Sequence, residues 1–178
     1  MIVVDTNVLS EEMKPHPAAS VHGWFSRQKP AELFTTAICE AEILSGVQVL
    51  PDGQRKRELE AAARRVFALF NGRILTFDSA AAAEYAAIVA ERRRMGQPIN
   101  DFDAQIAAIA RSRGFALATR NVFDFEGIGI SSIPGPDREH TAFPVNGCGK
   151  RKRHLLHLGA CVGDGLLPAR ALRFRALG

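Results

Sequence analysis

The hydrophobic positions of the chain follow two alternating patterns. Short apolar or β-branched runs predict buried strands, and longer stretches with apolar residues three or four positions apart predict helices between them. The predicted strands cover residues 2–5, 33–36, 73–77, 115–119 and 129–133, and the predicted helices cover residues 18–28, 38–50, 54–70, 79–95 and 101–114. This alternation predicts an α/β fold, a three-layer α/β/α domain with a central, mostly parallel sheet.

The pattern ends after residue 133. Residues 134–178 hold four of the nine prolines and seven of the fifteen glycines, and they show no sustained period from Lys150 onward. We therefore predict a folded domain over residues 1–133 and an irregular, basic C-terminal extension over residues 134–178, atypical or disordered. Because 21 of the 28 residues from Arg151 to Gly178 are Leu, Ala, Gly, Arg or Pro, a frameshifted reading of a GC-rich gene is an alternative origin for this extension.

The formal net charge of +4 is concentrated in the extension. Residues 1–133 contain 15 Lys and Arg against 16 Asp and Glu, a net charge of −1, whereas residues 134–178 contain 8 against 3, a net charge of +5. The overall charge is thus no argument for a basic nucleic-acid-binding surface on the folded domain. In the extension, the basic run 150–153 is a candidate RNA contact, whereas the spacing of the Cys and His residues does not match a common zinc site: Cys148, His154, His157 and Cys161.

The chain lacks the usual signals of a secreted or membrane protein. No stretch approaches the roughly 18 apolar residues of a membrane span. Residues 1–10 have neither the basic start nor the long apolar run of a secretory signal. Three widely separated cysteines suit reduced thiols better than a disulfide framework. These features predict a cytoplasmic protein with no membrane partner.

Four acidic residues lie near predicted strand ends. Asp5 ends the first strand, Glu42 lies near the start of the helix after the second, Asp103 lies in the first turn of the helix before the fourth, and Asp124 follows the fourth. Ligands of open parallel sheets bind outside the carboxyl ends of the strands. Clustered carboxylates with few His or Cys residues are hard oxygen donors that favour Mg²⁺ or Mn²⁺ over zinc. Each acid alone could equally be a cap, a turn residue or a surface charge.

Helix geometry separates one pair of neighbouring acids but not another. Asp103 shares a helix face with apolar residues one turn on, so it is the better inward ligand, and Asp101 is the better N-cap. Glu40 and Glu42 both have apolar residues three and four positions away. Only Gly46, which leaves room one turn beyond Glu42, favours Glu42.

Four motifs in the chain resemble those of PIN-domain ribonucleases, most closely the VapC and FitB toxins of bacterial type II toxin–antitoxin modules. They occur in the family's order and span about residues 1–133: MIVVDTNVLS at residues 1–10, AEILSGV at 41–47, INDFDAQIAAIA at 99–110 and LATRNVFDF at 117–125. The resemblance ends before the C-terminal extension.

The resemblance implies a set of site residues. Asp5, Glu42 and Asp103 correspond to the metal-binding and catalytic acids of the family. The fourth family position falls on Asn121, and Asp124, three residues later, is the alternative catalytic acid. Thr6 and Asn7, with Asn121, would support the ligands from a second layer. Phosphate contacts would come from nearby arginines, for which the candidates are Arg120, Arg92, Arg93 and Arg94.

The function implied is that of a Mg²⁺- or Mn²⁺-dependent endoribonuclease that hydrolyses RNA phosphodiester bonds as the toxin of a toxin–antitoxin module. A cognate antitoxin and a homodimeric partner are implied as well. One alternative is a non-catalytic RNA-binding or regulatory module on the same scaffold. A phosphotransfer enzyme is disfavoured because no second Asp follows Asp5 at two residues' distance, and because residues 57–149 contain no Lys.

Overall fold

A parallel sheet forms the centre of the fold. The computed structural model describes residues 1–129 and 132–134. Within them the sheet has five strands in the order β3-β2-β1-β4-β5, and every neighbouring pair is parallel. The strands are β1 (Ile2–Val4), β2 (Leu33–Thr36), β3 (Ile74–Leu75), β4 (Ala116–Thr119) and β5 (Ser132–Pro134). The order places β1 between β2 and β4, so the carboxyl ends of these three strands lie side by side.

Helices connect the strands and cover the sheet. In the described residues they are α1 (Thr6–Glu12), α2 (Ala19–Arg27), α3 (Ala37–Gln48), α4 (Gln54–Ala68), α5 (Ser79–Arg94) and α6 (Asp101–Ser112). Short 3₁₀ turns occupy Pro30–Glu32 and Val122–Phe125. The apolar face of α6, including Ile106 and Ile109, is fully buried in one core with Val3 and Leu117 of the sheet. The predicted three-layer α/β/α class is confirmed.

The first helix is the main departure from the expected elements. The sequence predicted no helix before residue 18, but α1 begins directly after β1: Asp5 is its N-cap, and the Asp5 Oδ1 accepts a hydrogen bond from the Thr6 amide at 2.7 Å. With only seven residues, α1 is too short to show a clear apolar period. The helix forms because Asp5 caps its N-terminus immediately after β1 ends, and because Val8 and Leu9 are fully buried.

Two boundaries also differ from the expected ones. The N-cap of α6 is Asn100, whose Oδ1 accepts from the Phe102 amide at 2.9 Å, so the prediction of Asp101 as N-cap was wrong. Asp101 instead accepts a hydrogen bond from the Tyr85 hydroxyl at 3.1 Å. The third strand covers only Ile74–Leu75 of the predicted five residues, and the last strand begins at Ser132 rather than at Gly129, where φ is +69°.

None of the helices in residues 1–129 combines the length and apolar character that a membrane span requires. Apart from Pro134, the predicted C-terminal extension, residues 134–178, lies outside the described residues. Its basic run 150–153 and its four Cys and His residues also lie outside them.

Candidate active site at the carboxyl ends of the strands

Asp5 occupies the centre of the candidate site. It follows β1 directly and is only 2% exposed. Its Oδ1 accepts from the Thr6 amide, and its Oδ2 accepts from the Thr119 hydroxyl at 2.7 Å. Burial and, to a smaller extent, the Glu42 charge raise the pKa of Asp5 to about 6, against the lowering effect of these hydrogen bonds. The carboxylate is therefore fixed in orientation by its neighbours on α1 and β4.

Thr119 connects three of the polar residues around Asp5. Its buried hydroxyl donates to Asp5 and accepts from Asn7 Nδ2 at 3.2 Å and from the Asn121 amide at 3.0 Å, so its donor and both lone pairs are used. Asn7 Oδ1 accepts in turn from the Arg120 amide at 3.1 Å. Sequence reasoning missed Thr119. The available signal was a hydroxyl residue at the carboxyl end of a strand predicted to be apolar.

Thr6 links Asp5 to Glu42. Its amide donates to Asp5, and its hydroxyl donates to Glu42 Oε2 at 2.6 Å. Burial raises the pKa of Glu42, and the hydrogen bond from Thr6 opposes that shift. Glu40, on the same helix, lines a different feature, an open cavity of about 490 Å³ beside Phe67 on α4. The structure thus places Glu42 at the site and Glu40 away from it, a distinction that their apolar neighbours on the helix did not provide.

Asp103 is the site acid whose pKa responds to the charges of the other three. It lies in the first turn of α6 and is largely buried. Burial, together with the charges of Asp5, Asp124 and Glu42, raises its pKa to about 7. The charges of the other three predicted acids therefore reach Asp103 across the carboxyl ends of β1, β2 and β4.

Both candidates for the fourth position lie next to each other. Asn121 precedes the 3₁₀ turn that contains Asp124, and Asn121 Nδ2 donates a hydrogen bond to Asp124 Oδ2. The Asn121 side chain thus orients the Asp124 carboxylate and does not take the place of an acid in the site. This contact favours Asp124 as the acid of that position and Asn121 as its support.

The site has the donor chemistry that suits a divalent cation. The charges of the other three acids raise the pKa of Asp103, and the charge of Glu42 raises that of Asp5, so bound positive charge would relieve this repulsion. Within the described residues, no three His, Cys, Asp or Glu side chains form a closed ligand group. Asp5, Glu42 and Asp124 instead accept hydrogen bonds from protein groups. Charge and donor type therefore fit Mg²⁺ or Mn²⁺.

Metal-free protein in EDTA is expected to be more stable at about pH 5 than at about pH 8. The pKa values of Asp103 and Asp5 are about 7 and about 6 in the folded chain, against an ordinary 3.8. Because the folded state binds these protons more tightly than the unfolded chain, acidification favours folding. The electrostatic penalty is fully present above about pH 7 and disappears below about pH 4. At about 1.4 kcal/mol per pKa unit, urea unfolding should show a gain on the order of 2–4 kcal/mol.

Two variants test which residue causes this pH dependence. Asp103→Asn should remove much of the difference in unfolding free energy between the two pH values, because its side chain does not ionise. Asp101→Asn, which changes an exposed acid in the same helical turn, should leave the difference unchanged. A native pH dependence in Asp103→Asn would contradict the electrostatic account.

The four predicted RNA-contacting arginines occupy different environments. Arg93 and Arg94 are exposed in the last turn of α5. Arg120 lies at the rim of the site, where its Nη1 donates to Glu11 Oε2 at 2.8 Å. Arg92 is 2% exposed and donates to Gln97 Oε1 at 3.1 Å and to the Glu126 carbonyl at 3.0 Å. The prediction of Arg92 as an RNA contact was therefore wrong, because its guanidinium is packed inside the protein.

A family model for the PIN domain matches residues 2–124. Two curated relatives are each 37% identical to the chain. One is the VapC ribonuclease Y4jK of Sinorhizobium fredii, over 134 residues that make up 75% of this chain and 96% of the relative. The other is the toxin FitB of Neisseria gonorrhoeae, over 126 residues that make up 70% of this chain and 91% of the relative.

Solved structures show the same similarity. The crystal structure of FitAcB from Neisseria gonorrhoeae aligns with a TM-score of 0.70 and 34% sequence identity. The alignment covers 76% of this chain and 98% of the matched chain. The similarity therefore covers nearly the whole of that chain and most of this one.

Proposed function

The chain belongs to the PIN-domain family, and from this premise we propose that it is a metal-dependent endoribonuclease, the toxin of a toxin–antitoxin module. Its relatives include a VapC ribonuclease and a protein named as a toxin. The single observation that carries the proposal is the convergence of four carboxylates, in which Asp5, Asp124 and Glu42 all raise the pKa of Asp103. Such a cluster repels a phosphodiester unless a cation neutralises it.

We assign Mg²⁺ or Mn²⁺ to Asp5, Asp103 and Glu42. When bound, the cation supplies positive charge to the scissile phosphate and lowers the pKa of water in the site. Thr6 and Thr119 hold the Asp5 carboxylate through its two oxygens. Glu42, whose pKa is raised by burial, either assists Asp5 and Asp103 as a third ligand or acts as the general base.

The remaining polar residues keep the acids and the substrate in place. Asn7 and Asn121 donate to Thr119 and so support its bond to Asp5. Asn121 also holds Asp124, the fourth catalytic acid. We assign RNA phosphate contacts to Arg120, at the rim of the site, and to Arg93 and Arg94 on α5. Because these charges lie outside the carboxylate cluster, they can attract RNA without neutralising the acids.

A cognate antitoxin and a second copy of the chain are the proposed protein partners. The antitoxin is supported by the similarity to the toxin FitB and to the FitAcB structure. The homodimer is proposed from the family resemblance, and light scattering of the purified chain tests it directly. A monomer at micromolar concentration would contradict this part of the proposal.

RNA cleavage in the presence and absence of a chelator tests the proposed activity. The purified chain is expected to cut a mixed RNA pool with added Mg²⁺ or Mn²⁺, to stop in excess EDTA and to resume when Mn²⁺ is restored, because the acids need a counter-charge. Cleavage that persists in EDTA would contradict the metal requirement. RNA that is bound but never cut, with metal present, would instead identify a non-catalytic RNA-binding module.

A further inference from the structure

Glu11 is a buried acid at the end of α1 that the proposed chemistry does not use. It is 5% exposed, and both carboxylate oxygens have partners. Its Oε2 accepts from Arg120 Nη1 at 2.8 Å and from Lys14 Nζ at 2.6 Å, and its Oε1 accepts from the Ala18 amide at 3.0 Å. Burial opposes ionisation, but these donors and the two positive charges hold the pKa of Glu11 below its ordinary value. Glu11 is therefore an ionised anchor beside the site.

The backbone of Arg120 is fixed between two of the site acids. Its amide donates to Asn7 at 3.1 Å. The preceding Thr119 hydroxyl bonds to Asp5, and the following Asn121 side chain bonds to Asp124. The guanidinium carries a permanent charge on a flexible stem. The two residues that flank Arg120 are thus bonded to Asp5 and Asp124.

In the structure, that charge is directed to Glu11 instead. The hydrogen bonds at Asp5 come from Thr6 and Thr119, not from an arginine. Asp5 is therefore held by hydroxyl and amide groups, while a cationic side chain lies at the rim of the same site.

We propose that Glu11 is a positioning residue that holds the Arg120 guanidinium away from the site carboxylates, so that a divalent cation rather than the arginine neutralises them. This inference rests on the proposed metal-dependent function. Without the Glu11 charge, attraction to Asp5 and Asp124 would draw Arg120 into the site, where it would compete with the cation. With Glu11 in place, Arg120 stays at the rim of the site.

Direct Mn²⁺ binding to the full chain, measured by titration calorimetry without RNA, tests the inference. Glu11→Gln keeps an oxygen for the Ala18 amide but loses the charge that holds Arg120. We expect its Kd for Mn²⁺ to rise about tenfold, the change that one lost charge pair commonly produces. Arg120→Ala should bind Mn²⁺ with native affinity. The double variant Glu11→Gln/Arg120→Ala should recover native affinity, because the competing guanidinium is gone.

Two further variants separate this role from a purely structural one. Lys14→Ala removes the other cation on Glu11 and should leave the Kd for Mn²⁺ unchanged, since Lys14 lies at the exposed end of α1. If Glu11→Gln does not fold, Glu11→Asp retains the charge at shorter reach. It should weaken Mn²⁺ binding to a smaller extent, and Arg120→Ala should restore the affinity.

The outcomes distinguish this inference from the function on which it rests. Native Mn²⁺ affinity in Glu11→Gln would overturn the positioning role, as would a double variant that binds as weakly as Glu11→Gln. In either case a native chain that binds Mn²⁺ and cuts RNA would leave the proposed nuclease intact. A native chain that binds no Mn²⁺ would overturn both.

Discussion

Asp103→Asn protein is expected to cleave RNA at least about a thousandfold more slowly than the native chain, because it loses a charged ligand at the centre of the acid cluster. The same change should not reduce stability. The pKa of Asp103 is raised to about 7 by burial and by three neighbouring acids, so a neutral amide removes repulsion from the metal-free protein. Initial cleavage rates with saturating Mn²⁺, together with thermal unfolding in EDTA, measure both effects.

Asp101→Asn is the matched control. Asp101 lies in the same first turn of α6, but it is exposed and accepts a hydrogen bond from the Tyr85 hydroxyl instead of facing the other acids. Its cleavage rate should stay within about twofold of the native rate, since exposed substitutions away from the reacting groups have small effects. Native activity in Asp103→Asn, or an equal loss in both variants, would remove Asp103 from the site.

Asp5→Asn is also expected to abolish cleavage, but it is a less clean test. Both Asp5 oxygens accept hydrogen bonds, from the Thr6 amide and the Thr119 hydroxyl. An amide side chain places an NH₂ group against one of these donors, so a buried donor loses its acceptor. Loss of stability would then accompany loss of activity, which is why Asp103 is the better position for the decisive variant.

Arg92→Ala is expected to lower the free energy of unfolding by about 3 kcal/mol, or about 8 °C in Tm. Arg92 is the largest of the fully buried side chains in the described part of the chain. Its removal leaves a cavity and takes the donor from the Glu126 carbonyl, which lies just after the turn that carries Asp124. Urea unfolding and differential scanning calorimetry of the metal-free protein measure the loss.

Arg94→Ala provides the comparison within the same helical turn. Arg94 is exposed, and its Nε donates only along its own helix, to the Ala90 carbonyl at 3.2 Å. Its substitution should change the unfolding free energy by less than about 0.5 kcal/mol while weakening RNA binding at low salt. Equal destabilisation by the two substitutions would show that burial of Arg92 contributes nothing specific.

Arg92 illustrates why local patterns misassign charged residues. In the sequence, Arg92, Arg93 and Arg94 form one basic run at the end of a helix, and such runs usually face solvent. One of the three points toward the protein interior because residues 100° apart on a helix occupy different faces. Its burial is tolerated because Gln97 and the Glu126 carbonyl accept its hydrogen bonds, and Glu126 lies 34 residues away.

The sequence by itself determined the α/β class, the strand positions near Asp5, Glu42 and Asp124, and the inward placement of Asp103. These properties depend on hydrophobic periodicity and on the rule that ligands bind at the carboxyl ends of parallel strands, both of which are local or general. The β2 strand was predicted at its observed bounds, Leu33–Thr36, because its aromatic and β-branched residues favour a strand locally.

Only the tertiary structure decided how the acids are held. The Thr119 hydroxyl reaches Asp5 across 114 residues, and Arg120 reaches Glu11 across 109. Both contacts exist because β4 pairs with β1, with Val4 opposite Ala118. Strand order and register follow from the packing of all layers together, and no periodicity within one segment encodes them. The acids were therefore visible in the sequence, whereas their hydrogen-bond supports became visible only after the strands were placed side by side.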